Sequence, residues 1–209
     1  MKHSLFYKIV NQFFNMKIFF IFFLVIFLNF SNLVYAENIE DIEMEGLSIG
    51  ESLLKYFNKN EIIEKSEFIY ANEKPFSKDI AGIFYKKNLS EYDAVQIDFK
   101  FNDQNFTIVG LSGFIAYEND LNNCYKKQNQ IFNDLQLLFP DAGTKKGENE
   151  DHPGYPKGEV KLKRFSFFLN ENEYSNLEII CFDAVNHVDR LSVSMKTAEF
   201  NEWMYKLNN

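Results

Sequence analysis

Three histidines, two cysteines, one tryptophan and four prolines in 209 residues leave several kinds of chemistry without their raw material. His3 precedes an apolar leader, so only His152 and His187 serve the rest of the chain. Two histidines and two distant cysteines do not supply the four grouped ligands of a structural zinc site. The run Glu148–His152, "ENEDH", could at most gather a weak cation, and acidic loops ordinarily stay solvated. Neither a metal nor any other cofactor is expected. No Gly-rich loop ends in Lys-Ser or Lys-Thr, so a phosphate cradle is missing as well. Basic residues are also short: 22 Lys and Arg face 30 Asp and Glu, a net charge of −8. The leader carries Lys2, Lys8 and Lys17 and no acid, so residues 37–209 alone carry −11. Such a surface repels phosphate backbones and anionic lipid, which excludes nucleic acid as an expected partner.

The first strong positive signal is the leader. Every residue from Ile18 to Leu28 is apolar, Lys17 precedes the run, and Val34 and Ala36 place small residues three and one before a break. That is the pattern of a secretory signal peptide cut between Ala36 and Glu37. The run has eleven residues, whereas a membrane span needs about 20. The competing reading is an uncleaved N-terminal anchor, which would be the chain's sole membrane contact. Met16 followed by Lys17 already makes a compact signal, so residues 1–15 also read as an upstream extension. Residues 37–209 are then expected to form one domain, periplasmic or secreted. An exported chain meets an oxidising compartment, and an even cysteine count there favours pairing, Cys124 with Cys181. The alternative is two buried thiols acting as small apolar residues.

Along residues 37–209, Ser48 and Glu51 make a Ser-x-x-Glu capping box. Ile49, Leu53, Leu54 and Phe57 follow at helical spacing, ending near Asn58 to Asn60. "EFIYA" and "IAGIFYK" read as strands around a turn at Lys74-Pro75. Tyr92 to Phe101 alternates, with Val95, Ile97, Phe99 and Phe101 on one side and Gln96, Asp98 and Lys100 on the solvent side. Residues 106–118 return as its hairpin partner, Gly110 and Gly113 marking a bulge or close backbone approach. Asn119 or Asp120 caps a long helix to about Phe139, with Cys124 on its apolar stripe. Residues 141–159 read as a long polar loop. Three strands follow, Val160–Leu169, Leu177–Phe182 and Arg190–Met195, and Thr197 caps a last helix. Clustered strands and short hairpins predict an α+β fold: an antiparallel sheet of six or seven strands, three helices mainly on one face.

The stretch Gly46-Leu47-Ser48-Ile49-Gly50 matches the Gly-x-Ser-x-Gly nucleophile elbow, but the hydrophobic strand that must precede it is replaced by the acidic "NIEDIEME". The overlapping Gly50-Glu51-Ser52-Leu53 resembles the opening of the Gly-Asp-Ser-Leu hydrolases. That resemblance implies an exported serine esterase with Ser52 as nucleophile, Gly82 and Asn119 as supporting residues and His187 as base. The chain departs from the pattern: Glu51 stands for the Asp, Tyr117-Glu118-Asn119-Asp120 for Gly-x-Asn-Asp, and Ala184 lies three before His187 with Asp183 four before. An acid must lie within hydrogen-bond reach of its histidine, so the slip matters. Catalysis is therefore the alternative and a non-catalytic binding domain the main expectation. Three segments, "IEMEGLSIGESLLKYFNKNEI", "YENDLNNCYKKQNQI" and "SVSMKTAEFNEWM", resemble uncharacterised secreted proteins of marine alphaproteobacteria. This resemblance implies export and a small α+β fold, with no activity attached. The partner expected is an envelope protein or a small ligand.

Overall fold

The computed structural model describes residues 38–68, 78–169, 176–185 and 188–208. The leader, the cleavage pair Ala36 and Glu37, most of "EFIYA", the Lys74-Pro75 turn and His187 lie outside them. The described residues fall within a compact unit, Ala36–Asn209.

The fold is α+β. Nine strands occur among the described residues: β1 (Glu43–Met44), β2 (Leu47–Ser48), β3 (Ile80–Tyr85), β4 (Ala94–Lys100), β5 (Ile108–Tyr117), β6 (Gly143–Asp151), β7 (Val160–Phe168), β8 (Leu177–Ala184) and β9 (Asp189–Lys196). The first two form a small hairpin; the other seven form one antiparallel sheet in the order β3-β4-β5-β9-β8-β7-β6. Three helices join them: α1 (Lys59–Lys65), α2 (Leu121–Leu138) and α3 (Ala198–Asn208). Among the described residues no helix is long and apolar enough to cross a membrane.

Alternation builds the first face of the sheet. Val95, Ile97 and Phe99 on β4, Leu191, Val193 and Met195 on β9, and Phe165 and Phe167 on β7 are all buried in one cluster. Helix α2 covers it. Cys124, Gln128, Phe132 and Leu135 are its buried residues, three or four positions apart and thus on one stripe. Asp120 caps the helix, its side chain accepting from the amide of Asn123 at 3.2 Å. Cys124 is bonded to Cys181 of β8 with an S–S distance of 2.02 Å, which ties helix to sheet. Between the two ends of the stripe, Gln128 donates to the carbonyls of Lys163 at 2.7 Å and Ile179 at 2.8 Å, pinning α2 to β7 and β8.

The second face is not the solvated surface that alternation predicts. Gln96, Asp98, Ser112, Ser166, Ser192 and Ser194 are all buried there. Five of them pair among themselves: Gln96 donates to Asp98 at 2.8 Å, Ser112 to Ser194 at 2.9 Å, and the Ser192 and Ser194 hydroxyls lie 3.4 Å apart. Polar residues paired in this way look the same in a sequence as polar residues facing water. Where β4 meets β5 the register shifts between Asp98 and Phe99, making Val109 the extra residue of a bulge. Val109 turns to the second face and packs with Ile80 and Phe200 of α3. Two helices therefore cover the first face and α3 lies on the second, with Thr197 capping it through a 3.1 Å bond from the amide of Phe200. Gly113 is held small by Tyr92, whose ring would lie 2.4 Å from an added Cβ.

Two further expectations are corrected. The stretch taken as a polar loop contains β6, paired along its length with β7. It is an edge strand exposed on both sides, and its Lys145, Lys146, Glu148, Glu150 and Asp151 give it no apolar alternation to read. Charges of this kind discourage further strand addition. The helix expected from Ser48 is also absent. β1 and β2 form a hairpin there, a single 3-10 turn follows at Leu53–Lys55, and Asn58 begins α1 instead of ending a helix.

Candidate functional site

The stretch with the most motif character is built for backbone geometry. Glu45 and Gly46 are the two turn residues between Met44 and Leu47, both with positive φ, 53° and 78°. A two-residue hairpin turn of this type needs that conformation at both positions, which explains Gly46 without a nucleophile elbow. The Glu45 carboxylate accepts from the amides of Ser90 at 2.8 Å, Glu91 at 2.6 Å and Tyr92 at 3.1 Å, and from the Ser90 hydroxyl at 2.9 Å. Partial burial opposes its charge, but these bonds prevail and hold it below the ordinary carboxylate range. Gly50, φ 84°, donates its amide to the Ile108 carbonyl at 2.8 Å.

Ser48 is a residue of β2 and caps no helix. The capping hydroxyl is that of Ser52, which accepts from the amide of Leu54 at 3.3 Å and donates to the Asn105 carbonyl at 2.7 Å. Ser52 also bridges Thr107 just before β5. Glu51, assigned by the capping box to an amide, instead binds Lys55 and the Tyr56 hydroxyl, and these two partners hold its carboxyl below the usual range. Burial, then Glu51, pushes the Tyr56 phenol up to about 12.

No base meets Ser52 among the described residues. His152 packs edge-on against Tyr155 and tilts over Phe182, with centroids 4.9 and 6.0 Å away. Phe182 pairs with Arg190, and Arg190 with Ala116 near the far end of β5. Thr107 and Ala116 are nine residues apart on the chain, about 30 Å along a strand. Of the other residues in the hydrolase pattern, Gly82 pairs within β3–β4 and Asn119 forms a left-handed turn before α2, φ 56°. The serine is a cap, with its proton held by a carbonyl.

The far end of β5 is different. A cavity of about 300 Å³ opens there on the second face. Strand register builds it: Phe114 and Ala116 from β5, Arg190 from β9, Phe182 and Ala184 from β8 and Val160 from β7 all point the same way. Asp93, Tyr155 and Val188 complete the walls. Arg190 lies across two rings, 4.8 Å from the centroid of Phe182 and 5.7 Å from that of Phe114. Such stacking fixes a guanidinium without neutralising it, and among the described residues no carboxylate pairs with it. Asp93 is fixed from the other side, accepting the amide of Ala116 at 2.8 Å. Part of the rim is apolar and exposed: Tyr155 and Val188 are large hydrophobics left to solvent. His152 stands behind Tyr155. Its Nδ1 accepts from the Gly154 amide at 3.0 Å, which leaves the proton on Nε2. Burial, then Arg164 and Arg190, lowers its pKa.

No group of His, Cys, Asp and Glu able to hold a metal occurs among the described residues. Of the cavity residues, Val160, Phe182 and Arg190 are legible in the sequence only as strand ends and Ala184 only by its spacing from His187; none carries a binding motif. The signal that could have found them is an arginine and two phenylalanines on the polar side of otherwise alternating strands. Compared with protein-family models, with curated proteins and with solved structures, the chain matches none.

Proposed function

We propose that residues 37–209 are an exported, non-catalytic binding domain of the cell envelope, and that the cavity between Phe114, Phe182 and Arg190 is its ligand site. The observation that carries this reading is the charged group held in place but left unpaired inside an aromatic wall. Arg190 lies over two rings and forms no ion pair among the described residues, so its charge and donors are left to the cavity. Pockets that bind small molecules combine apolar walls with a few fixed polar groups in this manner. The volume, about 300 Å³, suits a single small molecule or one side chain of a partner. Export is supported by the leader and by the Cys124–Cys181 bond, which persists in an oxidising compartment.

The test has two parts. Full-length chain expressed with its leader should yield a product whose intact mass begins at Glu37; an uncut chain recovered only from membranes would contradict export. The exported product should then be screened by thermal shift against small fragments, and the hits repeated on Ala116→Trp, which fills the cavity from an exposed strand position. Hits should disappear in that variant while its own melting temperature holds. Hits that survive the filled cavity would place the ligand elsewhere.

A further inference from the structure

We infer that the cavity accepts a small zwitterion with an apolar body, of the class of hydrophobic α-amino acids, its carboxylate on Arg190 and its ammonium on Asp93. This rests on the reading of the cavity as the ligand site and specifies what that site takes.

Two opposite charges line one small cavity, and they do not pair with each other or with any other charged side chain among the described residues. Left mobile, an Arg and an Asp so placed would be drawn together. Here each is committed to a direction. The Arg190 guanidinium lies over the rings of Phe114 and Phe182. Asp93 gives one oxygen to the Ala116 amide at 2.8 Å, which leaves its second oxygen for another donor. A guanidinium offers a planar fork that matches a carboxylate. A carboxylate oxygen matches an ammonium. Between them the cavity is lined by Phe114, Phe182, Val160 and Val188, which suits an aromatic or branched aliphatic side chain. The size agrees: a cavity of about 300 Å³ holds one such molecule and not an extended peptide. A purely anionic ligand would leave Asp93 facing it unpaired, and a purely cationic one would do the same to Arg190.

Arg190 and Asp93 are both exposed, so each ion pair is expected to change affinity by about fivefold, the upper range for such pairs. The experiment titrates the isotope-labelled exported protein with four probes followed by backbone chemical shifts. They are phenylalanine, 3-phenylpropanoate (no ammonium), 2-phenylethylammonium (no carboxylate) and N-acetylphenylalanine amide (neither charge). Phenylalanine should bind tightest, about fivefold above each singly charged probe. Arg190→Gln should bring phenylalanine down to the level of 2-phenylethylammonium, and Asp93→Asn to that of 3-phenylpropanoate. Should either variant fold poorly, the four probes on the unaltered protein decide by themselves. Equal binding of all four, or a singly charged probe binding tightest at the cavity, would overturn the zwitterion assignment while leaving the cavity as ligand site. Four probes that leave the cavity shifts unmoved would remove both.

Discussion

The two ends of β5 make opposite use of their side chains. At the amino end, where Ser52 bridges Thr107, the motif residues are spent within the chain: Ser52 on Asn105 and Leu54, Gly50 on Ile108, Glu51 on Lys55 and Tyr56. At the carboxyl end Arg190 and Asp93 are held in place and unpaired with each other, beside exposed Tyr155 and Val188. The difference shows how to separate a structural cluster from a binding one when both contain polar residues. The useful question is whether a group's hydrogen-bonding and charge capacity is already filled by its own chain. Substitutions at the amino end should therefore cost stability without touching the ligand, and substitutions at the carboxyl end should do the reverse.

The largest effect is expected from Leu53→Ala. Leu53 has no exposed surface and sits beside Ser52 in the amino-end turn. Its truncation should cost about 2–5 kcal/mol in denaturant unfolding, with fragment affinity unchanged for the molecules that remain folded. Altered affinity would show that the two ends communicate. Ser52→Ala should cost less, about 0.5–2 kcal/mol for a lost cap. Any ester hydrolysis shown by the preparation should be the same in this variant. Activity that vanishes with the hydroxyl would restore the serine as a nucleophile and reverse the comparison.

Glu45, whose carboxylate is committed to the amides of Ser90, Glu91 and Tyr92, tests the value of such committed groups through pH. Its folded-state pKa is depressed below 4.5, the unfolded value, so its contribution is full above 4.5 and is lost as pH falls through the folded value. Glu45→Gln should be less stable at neutral pH, and the gap to the unaltered protein should narrow on acidification below 4.5. A gap that stays constant with pH would mean that the amides of Ser90, Glu91 and Tyr92 do not favour the charged form. The smallest stability change belongs to the cavity end: Arg190→Gln should lower stability by about 0.5–1 kcal/mol, the size of an exposed cation–π contact. A loss of several times that would make Arg190 a structural residue.

Much of the fold was legible because one periodicity dominated each stretch. Val95, Ile97 and Phe99 alternate, and Cys124, Phe132 and Leu135 repeat at helical spacing, so β4 and α2 followed from periodicity, while the Cys124–Cys181 bond was favoured by the even cysteine count over two buried thiols. At the amino end periodicity misled. Ile49, Leu53, Leu54 and Phe57 are spaced for a helix, yet positive φ at Gly46 and Gly50 breaks the chain into a hairpin and a single turn. The overlooked clue was Glu45-Gly46, a turn pair between apolar residues. Strand β6 carried no periodic signal because an edge strand exposed on both sides needs none. The cavity was out of reach for a different reason. Phe114, Phe182 and Arg190 are far apart in sequence and meet only through the register of β5, β9 and β8, which no local pattern encodes. The polar floor of Ser112, Ser192 and Ser194 beside it likewise read as solvent-facing.

The most direct measurement is chemical-shift mapping of the exported protein as a bound fragment or phenylalanine is added. Perturbations should gather on Phe114, Ala116, Phe182, Ala184 and Arg190, with the amides of Ser48 to Leu53 unmoved, because of the two ends of β5 it is the carboxyl end whose charged side chains are left to receive a ligand. Perturbations centred on Ser52 and Asn105, with Arg190 silent, would contradict that account and return the site to the amino end.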